Sequence, residues 1–258
     1  MATAAGDVGR RKVVAAFAGF SEQVAAAWDE SLMGAFPPHI TQALLEGARE
    51  TSVRAGEVFY RGAEHVETAV LALIVDGLVR THLREESGRQ ITIRYGWPSD
   101  IIGAPAIVMA GVGGDRGADR WKLSGGHRLH AQALRDTLLL KLPPARFLEL
   151  AQTEASVASA LVMCLAHLTV ETEQMLEDGL FRSIRARVAR HLLDLAVCRD
   201  DALVVAEGHR EIADAIGSVR EVVSRTLVRL REEGVVDRRE GETVLLDPAA
   251  LHAIAAAG

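Results

Sequence analysis

Between about residues 51 and 142 the apolar positions fall in short runs separated by turn residues: TSVRAGEVFYRGA, TAVLALIVDGLVRTHL and GRQITIRYGW. Short runs rich in Val, Ile, Thr and Tyr, bounded by Gly, Asp or Pro, predict antiparallel sheet. Asp76-Gly77 sits between two such runs. A type I′ turn favours that dipeptide because both central residues need positive φ, so a hairpin is expected there. Residues 109–126, MAGVGGDRGADRWKLSGG, are glycine-rich and without period, and predict a long loop.

From Pro143-Pro144, which can open a helix, the period changes. Leu161, Leu165, Leu168, Thr172, Met175 and Gly179 are spaced alternately by four and three, the seam of a coiled coil. An exposed seam wastes apolar surface, so its simplest partner is the same helix of a second copy, with Leu161, Leu165, Leu168, Thr172 and Met175 at the interface. The alternative is that the seam packs on the chain's own sheet, and one helix can serve both. At the start of the chain, Arg10-Arg11-Lys12 followed by VVAAFAGF imitates a secretory signal. Ser21-Glu22 interrupts the apolar run, however, and an amphipathic helix continues to about Glu30. The reading is a cytoplasmic protein with an additional N-terminal helix.

Residues 209–236, HREIADAIGSVREVVSRTLVRLREEGVV, have the layout of a helix-turn-helix. Ile212 and Ile216 would face a core, Ala213 permits close approach, and Gly217 supplies a left-handed turn conformation that a β-carbon disfavours. Ser218 can cap the second helix with Glu221 reaching back, a capping box. Val222 or Val223, Leu227 and Leu230 supply the buried side, leaving Arg220, Glu221, Ser224 and Arg225 on the opposite face. Such a face suits a major groove, where arginine bridges guanine O6 and N7 and glutamate accepts from a cytosine amino group. Ser218 and Arg229 are expected on phosphates. Residues 234–246 then read as two short strands around Glu240-Gly241, a wing.

The composition changes this picture little. A hydrophobic content of 49% and a charged content of 25% over 258 residues are those of a globular protein. The longest apolar stretches, such as residues 70–75 and 138–140, fall far short of the roughly 18 to 20 residues that cross a membrane, so no span is expected. The net charge of −6 excludes a protein coated in basic patches but not a local positive surface. Cys164 and Cys198, the two cysteines, each stand alone in an apolar pattern and read as buried thiols, with no disulfide framework, zinc knuckle or iron-sulfur cluster.

On these residues the chain resembles the Crp/Fnr family, that of the cyclic-AMP receptor protein and the fumarate-nitrate reduction regulator, from about Pro37 onward. GSVREVVSRTL is similar to the family's recognition helix and places Arg220, Glu221 and Arg225 on its three base-reading positions. DGLFRSIRARVARHLLDLA looks like the hinge followed by the first helix of the DNA-binding domain, with Phe181 at a hinge aromatic. RGAEH, VDGLV and PSDIIGAP look like the family's glycine-marked turns, at Gly62, Gly77 and Gly103. The resemblance implies an α+β chain with an N-terminal antiparallel β-roll of the cyclic-nucleotide-binding jelly-roll type, a long dimerisation helix and a C-terminal winged helix-turn-helix. The boundaries it suggests are 1–36 for the helical extension, 37–150 for the effector roll, 151–181 for the dimerisation helix and hinge, and 182–258 for the DNA-binding domain. Its implied partners are double-stranded DNA, a second copy of the chain, RNA polymerase and a small effector.

The family's nucleotide cradle is altered here. After Gly103 stand Ala104, which cannot accept from a ribose hydroxyl, and Pro105, which lacks the N–H a phosphate could use. Where the family has an Arg-Ser pair the chain offers His127-Arg128, and Thr172 and Glu173 fall where the long helix meets the adenine. Gly103, Ala104, His127, Arg128, Thr172 and Glu173 are therefore the candidate effector residues, with an effector other than ordinary cyclic AMP expected, or none. His82, His127 and His130 raise a haem or metal sensor, or a cupin-like metalloenzyme. His127 and His130 are three apart in a strand, hence on opposite faces, and no compact His-x-His with a following glutamate occurs. An enzyme would also leave seam, helix-turn-helix and wing unexplained.

Overall fold

The computed structural model describes residues 16–62, 69–85, 90–111, 129–199 and 202–257. The chain forms two compact units: residues 1–81 with 94–170, and residues 82–93 with 171–258.

The roll begins with two helices, α1 (Glu22–Glu30) and α2 (Pro38–Leu45), followed by β1 (Arg49–Val53), β2 (Val58–Arg61), β3 (Leu71–Asp76), β4 (Val79–Arg84), β5 (Gln90–Gly96) and β6 (Ile101–Ile102). A short helix, α3 (Ala104–Gly111), precedes β7 (Leu129–Ala133) and β8 (Thr137–Leu142). The strands form two four-stranded sheets, ordered β1-β8-β3-β6 and β2-β7-β4-β5. Five successive residues of β3, Leu71 to Val75, are buried, so this strand is covered on both faces. The N-terminal extension provides part of the cover. α1 packs against β3 and buries Val24, Ala27 and Trp28, and Trp28 meets Phe17 and Phe36 edge-on at ring separations of 5.8 and 6.4 Å.

Several sequence expectations are corrected here. Asp76-Gly77 is not a hairpin turn: β3 and β4 lie in different sheets, and Gly77 has φ 105° whereas Asp76 is not left-handed. Gly77 is required by close approach as well, because a Cβ there would stand 2.7 Å from Thr137 Cα and 2.8 Å from the Asp136 carbonyl oxygen. The glycine-rich loop expected over 109–126 starts later, since Met109, Ala110 and Gly111 close α3; residues 112–126 lie outside the described residues. The third correction concerns α5 (Ala155–Phe181), which follows α4 (Pro144–Thr153). Its Ala155–Glu177 segment, with a mean hydropathy of 1.4, is long and apolar enough to cross a membrane by length and composition. Counting uninterrupted apolar runs missed it because Ser, Thr and His punctuate the helix ahead of its first charge, Glu171. One side of this helix is nevertheless committed to protein: Val157 and Cys164 are buried in the core of the first unit, and Leu161 and Leu168 pack against that core.

The second unit contains α6 (Ile184–Leu195), β9 (Val197–Arg199), β10 (Ala202–Val205), α7 (His209–Ile216), α8 (Arg220–Glu232), β11 (Val236–Arg239), β12 (Glu242–Leu245) and α9 (Pro248–Ala256). Its sheet runs β11-β12-β10-β9. Ser183 caps α6 by accepting from the Ala186 N–H at 3.2 Å, and Asp247 caps α9 by accepting from the Ala250 N–H at 2.9 Å. α9 packs on α6, and Arg182 donates to the Ala255 carbonyl near its end. Cys198, read from sequence as buried, is exposed on β9: the apolar helical pattern ends with Leu195, and the chain continues as an edge strand.

Candidate nucleic-acid interface

The helix-turn-helix is built as its residues require. Ile212, Ala213, Ala215 and Ile216 are buried on α7, and Gly217 takes φ 66°, ψ 39° at its C-cap. The N–H groups of Gly217 and Ser218 both turn back to the Ala213 carbonyl, ending the helix and redirecting the chain into α8. Arg187 of α6 donates to the Ile216 carbonyl, a clamp on this turn that sequence patterning did not signal. On α8, Val223, Leu227 and Leu230 are buried, which resolves the choice between Val222 and Val223.

The capping box is corrected. The N-cap of α8 is Val219, in extended backbone and with no side-chain cap, so Ser218 does not cap the helix. A helix start left uncapped by its own chain keeps amide N–H groups for other acceptors.

Opposite the buried stripe, Glu221, Arg225 and Arg229 are exposed; Arg220, expected on that face, is instead in register with Val223, Leu227 and Leu230 and is exposed at the start of the helix, while Ser224 is half-buried, as is Ser218 in the turn. Arg225 Nε donates to the Glu221 carbonyl at 3.3 Å, which lays its guanidinium along the helix surface. The wing follows as β11 and β12, paired from Val236 with Leu245 to Arg239 with Glu242. Glu240 (φ 51°) and Gly241 (φ 91°) both adopt positive φ, so the hairpin that needs two left-handed central residues is found here rather than at Asp76-Gly77. Two ion pairs fix its surroundings: Arg185 with Glu233 at 2.5 Å, and Arg199 with Glu242 at 2.9 Å. Asp237 is held below the usual carboxylate range, first by the Arg238 backbone N–H and then by the Arg239 side chain.

The candidate effector residues are dispersed. Gly103 and Ala104 lie in the first unit at the start of α3, with Ala104 buried. Thr172 and Glu173 are exposed on the part of α5 that belongs to the second unit. His127 and Arg128 lie outside the described residues. Within the first unit, a cavity of about 490 Å³ is bounded by Leu32, Arg94, Asp100, Met163, Cys164 and His167, with Arg94 paired to Asp100 at 3.4 Å. Sequence patterning gave no sign of it, because its walls come from three separated segments. His82 is buried in β4 and His130 is half-buried in β7. Among the described residues no group of three or more His, Cys, Asp and Glu is arranged to hold a metal ion.

A Crp-like helix-turn-helix domain model matches residues 186–254, spanning α6 to α9. Transcriptional regulator LdrP of Thermus thermophilus is 31% identical over 205 residues, covering 77% of this chain and 92% of that protein. The chain belongs to the Crp/Fnr family of transcription regulators. The cyclic AMP receptor protein of Thermus thermophilus is 30% identical, over 86% of this chain and 94% of its own length. Among solved structures, a Crp/Fnr-family regulator from the same organism superimposes with a TM-score of 0.65 at 25% identity, covering 81% of this chain and 98% of that one. Membership brings the β-roll and the helix-turn-helix together in one regulator of transcription that binds DNA and is not an enzyme, which sets the cupin-like reading aside.

Proposed function

We propose that this regulator acts in the cytoplasm as a homodimer on a palindromic site, with its two recognition helices about 34 to 36 Å apart, one DNA turn. The observation that carries this reading is the outward surface of α8, where Glu221 and Arg225 stand exposed opposite Val223, Leu227 and Leu230 and Arg220 stands exposed at the start of the helix. Arg220, Glu221 and Arg225 read base edges with Ser224 on the same groove-facing surface, while Ser218 and Arg229 contact the backbone. Residues 182–258 form the DNA-binding domain, 151–181 the dimerisation helix with its hinge at Phe181, 37–150 the effector roll and 1–36 the extension. Phe181, last residue of α5 and 77% exposed, precedes the break at Arg182-Ser183, as a hinge would require.

Dimerisation is supported by the apolar residues that α5 leaves uncovered. Leu161 and Leu168, expected on the seam, are spent on the first unit's own core, so the seam moves to Val162, Leu165, Thr169, Thr172 and Leu176, again spaced three and four. Val162 is 64% and Leu176 50% exposed. Met175 is half-buried beside them.

A small effector other than ordinary cyclic AMP controls the dimer, which in turn contacts RNA polymerase. Against cyclic AMP stand Ala104 and Pro105 where a ribose acceptor and a phosphate-binding amide are needed. For an effector stands the 490 Å³ cavity, within the size range of small-molecule sites.

The base-reading roles are tested by comparing Arg225→Ala with Arg229→Ala on cognate and scrambled duplexes. Arg225→Ala should cost about 1 to 3 kcal/mol on the cognate site alone. Arg229→Ala should weaken both equally and flatten the salt dependence by about one counterion. Equal loss on both duplexes for Arg225→Ala contradicts its role.

A further inference from the structure

Side chains that carry or can take a positive charge converge from three elements beside the recognition helix. His209 is the first residue of α7, Arg238 lies in wing strand β11, and Arg220 opens α8. His209 Nε2 stands 3.0 Å from Arg238 Nη1. A guanidinium can only donate, so at this separation the imidazole nitrogen accepts and the ring is neutral. Burial, then the charges of Arg238 and Arg220, hold the His209 pKa below its ordinary value.

The acidic groups nearby have their own places. Asp237 accepts from the Arg238 N–H and from Arg239, and the Glu211 carboxylate lies against the Gly208 backbone. The remaining charge on the first turn of α7 is Arg210, which is exposed. A ring held against the Arg238 guanidinium at a helix start, and within the field of Arg220, is a cluster whose missing element is an anion.

Resting on the DNA-binding reading above, we propose that His209 and Arg238 close on one backbone phosphate of bound DNA, beside the base contact of Arg220, and that His209 takes up a proton as they do so. The phosphate reverses the field that the two arginines impose on the ring and accepts the new N–H. Because the His209 pKa is low in the free protein and raised in the complex, binding consumes a proton. The extra affinity is complete below the free-protein pKa and is lost as the pH rises through the pKa of the complex.

The test is the dissociation constant of the full chain for its preferred duplex, between about pH 6 and pH 8 where an ordinary histidine titrates, at fixed salt and repeated across a salt series. Wild-type binding should tighten as the pH falls, by about tenfold for each unit by which the phosphate raises the His209 pKa. The wild-type salt slope should steepen by about 0.9 over the same range, one further cation at the backbone. His209→Gln should bind at every pH as the wild type does at the alkaline end. His209→Arg should bind throughout as the wild type does at the acid end. A flat wild-type profile, or a His209→Gln profile parallel to the wild type, overturns the proposal while leaving DNA binding intact. Absence of specific binding by the folded wild type at any pH overturns the DNA-binding reading, and this proposal with it.

Discussion

Gly103 shows how much a single position can fix. It has φ 93°, and a Cβ built on it would lie 1.6 Å from the Val70 carbonyl oxygen, against backbone that cannot swing aside. Gly103→Ala should destabilise the chain by about 2 to 5 kcal/mol, combining a positive-φ penalty of about 1 to 2 with overpacking of about 1 to 3. Gly56 has φ 83° but open space around its Cβ position, so Gly56→Ala should cost only the φ penalty, about 1 to 2 kcal/mol. Denaturant unfolding of the two variants separates steric from conformational cost, and equal losses would contradict the close approach at Gly103. At this scale the sequence was readable where one residue has one physical use. Gly217 was legible because a left-handed turn between two amphipathic helices asks for glycine. Gly77 was misread because its demand comes from Thr137, sixty residues away, rather than from its own turn. Ser218 was misread as a cap because the backbone bonds that end α7 set where α8 starts.

Among the elements, α5 shows why periodicity locates a seam more easily than it assigns one. A spacing of three and four fits two neighbouring rows of one helix, one through Leu161 and Leu168, the other through Val162, Thr169 and Leu176. Only the folded structure tells which row the chain's own core has taken. The exposed row is the one proposed to meet a second copy, so Leu176→Lys, placing a charge where a second helix would approach, should shift the protein toward monomer in sedimentation velocity without lowering its helix content. Leu168→Ala should instead destabilise the fold while leaving the association state unchanged. The reverse pattern would restore the original seam. Other elements left weak traces: β9 is three residues long, and the absence of a β3–β4 hairpin follows from sheet topology, which dipeptide preferences do not encode.

At the scale of the whole molecule, family and DNA-binding module were legible because many local requirements coincide between residues 181 and 246: a helix break, a glycine turn, two buried stripes, and a hairpin closed by Glu240-Gly241. The cavity of the first unit was not, because its walls are assembled from segments far apart in sequence. Arg94, Met163 and Leu32 carry no shared pattern, yet they bound one cavity. Relatives of similar identity include one named as a cyclic AMP receptor and one named only as a transcriptional regulator, so likeness does not select a ligand.

Two copies are proposed to read one symmetric site through α8. Selection of preferred sequences from a random duplex library, using the purified full chain with and without an added small-molecule extract, tests it most directly. An enriched palindrome is expected, with half-sites about 10 base pairs apart, centre to centre. An enriched motif without two-fold symmetry, or no enrichment by folded protein under either condition, would contradict it.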